Sequence, residues 1–304
     1  MRGRGGLLST GPAIERELSH VTDDGTRLSY HLRRRGENRT IALMLHGLAS
    51  NSSRWREFTQ NVAPAGDWDL LRLDLRGHHR SRFRGRLGHD VWTRDLAALV
   101  RHHGYDRAIF IGHSLGAHVA LHFAHAHPSS AAGLVLIDPI FPDCLRGNLA
   151  TVAKLRSSFR LLIRVLWFLN RMGLHRRRYR DLDLQELDRE TRERLRNEPE
   201  IPISKLYARP HRDMRNLPLA NYLQDLVAVT EPLPPLSAIR TPALVLLSKG
   251  AGLGNIRESE AHIARMPHAQ TVVIDADHWL LTERPDESRR AIEEWCDRLT
   301  GGGR

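Results

Sequence analysis

The chain has 304 residues, of which 41% are hydrophobic, 27% charged and 6% aromatic. This composition suits one large folded domain, or one domain with a sizeable insertion, and it excludes a collagen-like or wholly disordered chain. No run approaches the roughly 18 consecutive apolar residues that a membrane span needs. The two cysteines, Cys144 and Cys296, exclude a disulfide-stapled fold and a cysteine-built zinc site.

The charge balance is strongly basic, with 46 Lys and Arg against 35 Asp and Glu and a formal net charge of +11. Ten of the bases and no acid lie between Cys144 and Arg180, so the excess is concentrated in that segment. Such a run indicates either a solvated helix face or an anionic partner. Because the sequence lacks a helix-turn-helix, zinc-finger or RNP-like pattern, we expect no nucleic-acid partner.

The first residues of the chain predict a loose basic tail over residues 1–14. They hold no apolar stretch of the kind that secretory signals contain. Together with the small number of cysteines, this favours a reduced, cytoplasmic location.

Short apolar runs alternate with helical patterns along most of the remaining chain. Residues 15–35 predict two strands around the tight turn at Asp23, Asp24 and Gly25, because Asp-Gly favours positive φ. Alternation of strands with helices predicts an α/β fold, a mostly parallel central sheet with helices on both faces. The further predicted strands are 40–45, 70–75, 107–112, 132–138, 242–247 and 270–274, and apart from the candidate at 70–75 we expect them to be buried. The predicted helices of this part are 91–103, 117–126 and 286–299, followed by a tail at 301–304.

Residues 139–240 interrupt this alternation. They contain helical patterns at 151–172 and 184–197, no convincing strand, and a proline-rich return. We therefore expect a helical cap, inserted between two sheet strands of a core that comprises residues 15–138 and 241–300.

The motif that points most directly to chemistry is Gly112-His113-Ser114-Leu115-Gly116, a G-x-S-x-G pattern. A predicted buried strand precedes it and an alanine-rich helix follows. A serine on such a sharp strand-to-helix turn sits in strained backbone, which small flanking glycines permit. The Leu115 N–H and the helix N-terminus would then favour negative charge at the reaction centre. The alternative is a purely structural glycine-rich turn.

A serine nucleophile needs a base, and His278 follows the last predicted strand in a loop that can bring its imidazole to Ser114. His118, His122 and His125 have the helical spacing of a metal-binding face. No carboxylate joins that pattern and the helix should pack centrally, so we expect neither a metal nor another cofactor.

Five segments, in their order and spacing, resemble the α/β-hydrolase fold superfamily, and within it the capped esterase and lipase-like branch. The resemblance implies Ser114 as nucleophile, His278 as general base, and an oxyanion hole formed by the N–H groups of Leu48 and Leu115. It also implies that His46 and Gly47 shape the loop that carries Leu48. The segments are HGLASNSSRW, DLRGHHRS, GHSLG, LVLIDP and DADHWLLTERPDE, and the resemblance covers residues 15–299 apart from the insertion.

The chain departs from this family at the acid. Members usually carry an Asp just after the strand that follows the cap, whereas residues 247–254 contain no carboxylate. Because some members similarly use an acid at the end of the preceding strand, the resemblance implies Asp138 as the orienting acid. Asp143, Asp275, Asp277 and a serine–histidine dyad remain alternatives.

A second departure is His79, which stands where the family usually has glycine. We therefore expect a different conformation of this loop. Asp74 and Arg76, in the same stretch, are interpreted as structural residues that hold loops near the site.

The sequence thus predicts a serine hydrolase that cleaves a carboxylic ester, thioester or lactone, including lipid-like esters, through an acyl-enzyme intermediate. The alternatives are a non-catalytic binding protein of the same fold and another chemistry of the fold, such as C–C bond hydrolysis.

Within the insertion, residues 159–169 are unusually apolar, and Arg156, Arg160 and Arg164 form a stripe beside them. The simpler interpretation is that the apolar side lines the pocket or packs on the core. The other is that the basic cap makes peripheral contact with an anionic membrane.

Overall fold

The computed structural model describes residues 14–34, 40–62, 68–198, 200–207, 213–250 and 256–301. Most of the predicted basic tail, the last three residues of the chain, and residues 251–254 of the segment without a carboxylate lie outside the described residues.

One eight-stranded sheet forms the centre of the protein, with the order β1-β2-β4-β3-β5-β6-β7-β8. The β1/β2 and β2/β4 pairs are antiparallel and all other neighbours are parallel. This confirms the predicted mostly parallel α/β sheet and the hairpin around Gly25. The strands are β1 (Arg16–Val21), β2 (Arg27–Arg33), β3 (Thr40–Leu45), β4 (Asp69–Leu73), β5 (Arg107–His113), β6 (Ala131–Ile137), β7 (Ala243–Ser248) and β8 (Ala269–Ile274).

The inner strands are mostly apolar because helices cover both faces of the sheet, although β4 contains Asp69 and Arg72. On β3, Leu43 and Leu45 belong to the hydrophobic core of one face, and Ala42 and Met44 belong to that of the other. The helices of the described chain are α1 (Arg56–Asn61), α2 (His89–His102), α3 (Leu115–Ala126), α4 (Gly147–Lys154), α5 (Arg156–Arg171), α6 (Leu184–Asn197), α7 (Ile203–Tyr207), α8 (Leu219–Ala228), α9 (Ile256–Ile263), α10 (Leu280–Glu283) and α11 (Pro285–Thr300).

The prediction that the last strand is buried is wrong. Among the strands that the structure describes, β8 lies at the edge of the sheet and pairs only with β7. Most of its side chains are partly or fully exposed, and Val273 keeps 43% of its surface accessible. The apolar run at 270–274 therefore predicted a strand correctly but did not predict its position at the edge of the sheet.

The segment between Ile137 and Ala243 contributes helices α4 to α8 and no strand among the residues that the structure describes. The predicted helix over 151–172 is two helices, because the chain leaves helical geometry at Leu155, where ψ is 18°. Helix α5 packs on α8 through Ile163, Leu223 and Val227.

In the described part of the chain, we find no helix with the length and apolarity that crossing a bilayer requires.

Candidate active site

Ser114 occupies the turn between β5 and α3. Its backbone has φ 53° and ψ −112°, a conformation that is unfavourable for any residue with a Cβ. The Ser114 N–H donates to the carbonyl oxygen of Ile137 at 3.0 Å, which fixes the turn against the end of β6. The serine hydroxyl is thereby held at the carboxyl edge of the sheet, as the motif predicts.

The two glycines of the motif are required by close packing around this turn. A Cβ on Gly112 would lie 2.3 Å from the carbonyl carbon of Gly116, and one on Gly116 would lie 2.2 Å from the carbonyl oxygen of Leu45. Real Cβ atoms do not approach so closely, so helix α3 can start this near to β3 only because both residues are glycine.

His278 lies in the loop between β8 and α10 and contacts Asp138, the residue that follows β6. Its Nδ1 is 2.6 Å from Asp138 Oδ2. Because an ionised carboxylate only accepts hydrogen bonds, Nδ1 carries the proton and Nε2 is left as the acceptor. Ser114 and His278 line the same cavity and are both buried.

Ser248 is a site residue that the sequence analysis missed. Asp138 Oδ1 accepts hydrogen bonds from the Ser248 N–H at 3.0 Å and from its hydroxyl at 2.9 Å. Burial raises the pKa of Asp138, but the hydrogen bonds from His278 and Ser248 outweigh it and hold the pKa below its ordinary value. Ser248 ends β7, inside the segment 247–254 that contains no carboxylate, and this position was the available signal.

The three alternative acids lie elsewhere. Asp275 is exposed and lies 3.7 Å from Lys249 Nζ. Asp143 lies 4.0 Å from His262. The Asp277 N–H donates to Glu283 in the loop that leads into α10. Among the described residues, only Asp138 forms an ion pair with His278.

His113 holds the backbone of the loop that carries His278. Its Nε2–H donates to the His278 carbonyl oxygen at 2.9 Å. Burial, reinforced by the neighbouring His278, lowers the pKa of His113 to about 3, so its ring stays neutral. Gly47 approaches the same ring, since a Cβ there would lie 3.1 Å from His113 Nδ1.

His46 shapes the other loop at the cavity. Its Nδ1–H donates to the Gly47 carbonyl oxygen at 2.9 Å, and its Nε2 accepts from the Leu75 N–H at 3.1 Å. Gly47 and Leu48 line the cavity. Leu115 is the first residue of α3, where N–H groups have no partner within the helix, whereas its side chain lies in the core.

Asp74 and Arg76 hold loops beside the site, which confirms their predicted structural role. Asp74 accepts hydrogen bonds from the Ser52 N–H at 2.8 Å and from His79 Nδ1 at 2.9 Å, and Arg76 pairs with Asp95 at 2.6 Å. His79 takes a positive φ of 38°. His79 thus takes the positive φ that a glycine would allow, so the expectation of a different conformation is wrong at this residue, and the bond to Asp74 offsets part of the strain.

The cavity at Ser114 has a volume of about 280 Å³ and is lined by both the core and the insertion. The insertion contributes mainly apolar side chains, together with Tyr207 and Tyr222. The insertion residues at the cavity are Ile140, Asn148, Leu149, Leu182, Leu184, Leu187, Tyr207, Asp213, Tyr222, Leu226 and Val229.

A buried polar cluster at the edge of this cavity joins the insertion to the core. Arg54 Nη1 lies 2.5 Å from Asp188 Oδ1, 3.1 Å from the Tyr207 hydroxyl and 2.9 Å from the Thr282 hydroxyl. Both charged side chains are nearly inaccessible to solvent. Neither charge pattern nor motif identified this pair, because its members are far apart in sequence.

The helical histidines pack separately. His118 Nε2–H donates to the Ile140 carbonyl oxygen, and the His122 ring stacks on His89 with centroids 4.0 Å apart. His125 is exposed at the end of α3. In the part of the chain that the structure describes, no three His, Cys, Asp or Glu side chains converge as metal ligands.

Comparison with known proteins assigns the chain to a family. The model of the alpha/beta hydrolase family matches residues 42–291. Lipase LipV of Mycobacterium tuberculosis is 31% identical over 113 residues, 37% of this chain and 42% of its own length. The 2-hydroxy-6-oxononadienedioate/2-hydroxy-6-oxononatrienedioate hydrolase of Burkholderia vietnamiensis is 32% identical over 123 residues, 39% of this chain and again 42% of the relative. The chain thus spans about two-fifths of the length of these two relatives.

A solved hydrolase structure from Pseudomonas aeruginosa superimposes with a TM-score of 0.64 at 22% identity, covering 94% of this chain and 98% of that one. Identity at this level supports the likeness of fold alone. The chain therefore shares its overall fold with that structure.

Proposed function

The chain belongs to the alpha/beta hydrolase family, and from that premise we propose that it is a serine hydrolase that cleaves carboxylic esters through an acyl-enzyme intermediate. The observation that carries the proposal is the arrangement at one cavity: Ser114 on its strained turn, and His278 with Nδ1 bonded to Asp138. This leaves the imidazole in the tautomer that can accept a proton from a serine hydroxyl.

In the proposed first step, His278 Nε2 takes the proton of the Ser114 hydroxyl as Oγ attacks the ester carbonyl carbon. The carbonyl π electrons move to oxygen, and the Leu48 and Leu115 N–H groups donate to the oxyanion. Asp138 stabilises the imidazolium that forms. As the tetrahedral intermediate collapses, the C–O bond breaks and His278 returns the proton to the departing alcohol.

Water completes the reaction by the same route. His278 removes a proton from water as its oxygen attacks the acyl carbon, and collapse of the second intermediate releases the carboxylic acid and restores Ser114. No metal or redox group takes part in this scheme.

We propose that residues 139–240 form a cap over this site and set the acyl pocket. Leu182, Leu187 and Leu226 supply an apolar lining, which suits the hydrocarbon part of a lipid-like ester. A reducing, cytoplasmic location is part of the proposal, and it is supported by Cys144 and Cys296, which are buried and unpaired.

The test is hydrolysis of p-nitrophenyl esters from short to long acyl chains by the parent, by Ser114→Ala and by Ser237→Ala, which removes an exposed hydroxyl. We expect the first variant to lose activity by several orders of magnitude and the second to keep it. Labelling of the parent, but not of Ser114→Ala, by a fluorophosphonate would locate the nucleophile.

C–C bond hydrolysis is the second candidate, because the chain is similar to a relative that is named for a dienedioate substrate. Turnover of a vinylogous 1,5-diketone, with no turnover of any ester, would favour it. Absence of both activities and of labelling would instead favour a binding protein of this fold.

A further inference from the structure

We propose that the outer face of α5 docks on an anionic phospholipid surface. We define this outer face as Leu161, Leu162, Val165, Phe168, Met172 and Leu174, which lie on α5 and just beyond its end. Docking does not depend on the proposed hydrolysis, because none of these six residues lines the cavity that holds Ser114.

Helix α5 is apolar on two opposite sides. Its inner side is packed, and Ile163, in contact with Leu223 and Val227, keeps only 4% of its surface accessible. Packing on the core, the simpler of the two interpretations of residues 159–169, explains the inner side of α5 but not its outer face. On the other side Leu161 is 62% exposed, Phe168 63% and Met172 62%.

This exposure is concentrated in one part of the molecule. Of the thirteen large apolar side chains that the described residues leave exposed, seven lie between Leu155 and Leu174. Isolated exposed leucines are ordinary, but a contiguous apolar face marks a surface that contacts something other than water.

The basic residues around the outer face indicate that its partner is negatively charged. Between Cys144 and Arg180, Arg146 pairs with Glu258, Arg160 pairs with Glu231, and Arg156 donates to the Thr230 carbonyl oxygen. The other seven bases of this range form no salt bridge with an acid in the described structure. An apolar helix face beside unpaired bases is the pattern of helices that lie in the interface of an anionic membrane. The seven bases are Lys154, Arg164, Arg171, Arg176, Arg177, Arg178 and Arg180.

A second copy of the chain fits this surface less well. Two copies joined through α5 would bring the seven bases of one copy close to the same seven bases of the other, with no acid between them. These like charges would repel. A phospholipid surface that contains phosphatidylserine supplies both the hydrocarbon for the leucines and the negative charge for the arginines.

The experiment is co-sedimentation of the full chain with vesicles at low salt. One set contains phosphatidylcholine only, and the other contains about one-third phosphatidylserine, a strongly anionic surface. We expect binding to the anionic set, release as salt rises, and little binding to the neutral set.

Three variants locate the contact. Leu161→Gln combined with Val165→Gln and Phe168→Gln removes outer-face surface and should weaken partitioning at least tenfold. Arg176→Gln combined with Arg177→Gln and Arg178→Gln should weaken it by a similar factor and reduce its salt dependence. The matched control, Val21→Gln with Val273→Gln, removes exposed valines from the sheet edges and should bind like the parent.

All substituted positions are exposed, so circular dichroism and thermal midpoints should match those of the parent. Equal binding to neutral and anionic vesicles, or unchanged binding of the Leu161 triple variant, would overturn the proposal. A dimer of the parent in light scattering that dissociates in that variant would also overturn it and assign the outer face to a second copy.

Discussion

Asp138 uses both carboxylate oxygens as acceptors: Oδ2 for His278 Nδ1–H and Oδ1 for the two donors of Ser248. An amide at this position has only one acceptor oxygen. If the amide NH2 faced Ser248, it would lie against the Ser248 N–H and hydroxyl, which are themselves donors. If the amide NH2 faced His278, Nδ1 would have to become the acceptor and the imidazole proton would move to Nε2. Neither arrangement leaves Nε2 able to accept a proton from Ser114 at low cost.

We therefore predict that Asp138→Asn lowers kcat for ester hydrolysis by about a thousand- to ten-thousandfold, the effect known for the wrong tautomer in serine proteases. The control is Asp277→Asn, which changes the carboxylate directly before His278 in sequence. It should keep most of the activity. Rates with a saturating p-nitrophenyl ester decide the matter. Similar, mild losses in both variants would remove Asp138 from its proposed role.

In the proposed reaction, Ser248 acts only through Asp138, as a positioning residue. Ser248→Ala keeps the backbone donor but loses the hydroxyl at 2.9 Å, a charge-assisted hydrogen bond that contributes about 1.5–3 kcal/mol. We predict that kcat falls about tenfold or more while KM changes little.

The pH profile separates this role from a merely structural one. Loss of a donor raises the pKa of Asp138, so the acidic limb of kcat/KM should move to higher pH in Ser248→Ala. Ser248→Thr retains the hydroxyl and should restore both rate and profile. A threonine variant no better than the alanine one would contradict the assignment.

At the scale of elements, the insertion is attached to the core by buried polar contacts. Asp188 on α6 and Tyr207 at the end of α7 meet Arg54 and Thr282 of the core. The Asn51 side chain also donates to the Leu182 carbonyl oxygen at 2.8 Å, just before α6. These bonds fix where the helices that line the cavity can lie.

We predict that Arg54→Met destabilises the protein by about 3–5 kcal/mol, because it leaves the Asp188 carboxylate buried without its cation. Chemical denaturation monitored by fluorescence measures the change. Arg54→Met combined with Asp188→Leu removes both charges and should recover most of the loss.

The matched control is Arg189→Met, which breaks an exposed pair with Glu186 on the same helix and should leave the unfolding midpoint unchanged. If Arg54→Met were as mild as this control, the buried cluster would not be what attaches α6.

The sequence predicted the elements well where local pattern determines them. The strands of the described core and the turn at Ser114 follow from apolar runs, Asp-Gly and the G-x-S-x-G motif. The edge position of β8 and the break at Leu155 were not predictable, because the order of strands and the packing of α4 and α5 depend on contacts between distant residues.

The same limit applies at the site. Asp138 and Ser248 meet because β6 and β7 are neighbours in the sheet, although more than a hundred residues separate them in sequence. Resemblance to a family indicated Asp138, whereas only the folded chain shows the serine that holds its second oxygen.

At the scale of the whole molecule, the fold buries several neutral histidines. Burial lowers the pKa of His46, His113, His118 and His122 to about 3. Their ordinary value is near 6.5, so below that pH the unfolded chain binds protons that the folded chain does not. His78 acts in the opposite direction, because Asp225 outweighs burial and raises its pKa.

We predict that the free energy of unfolding is highest above pH about 6.5 and falls steadily as the pH is lowered towards 4. Urea titrations at constant ionic strength between pH about 7.5 and 4.5 measure it. His118→Gln can still donate to the Ile140 carbonyl oxygen but cannot ionise, so it should reduce the slope. Stability that is flat or rises on acidification would contradict the prediction.

The position of Asp138 also restricts which substitutions the neighbouring strand can accept as the sequence diverges. With the proposed acid directly after β6, the end of β7 supplies two donors to that carboxylate, the N–H and the hydroxyl of Ser248. As the sequence diverges, position 248 is therefore limited to residues whose side chain donates to a carboxylate, such as serine or threonine.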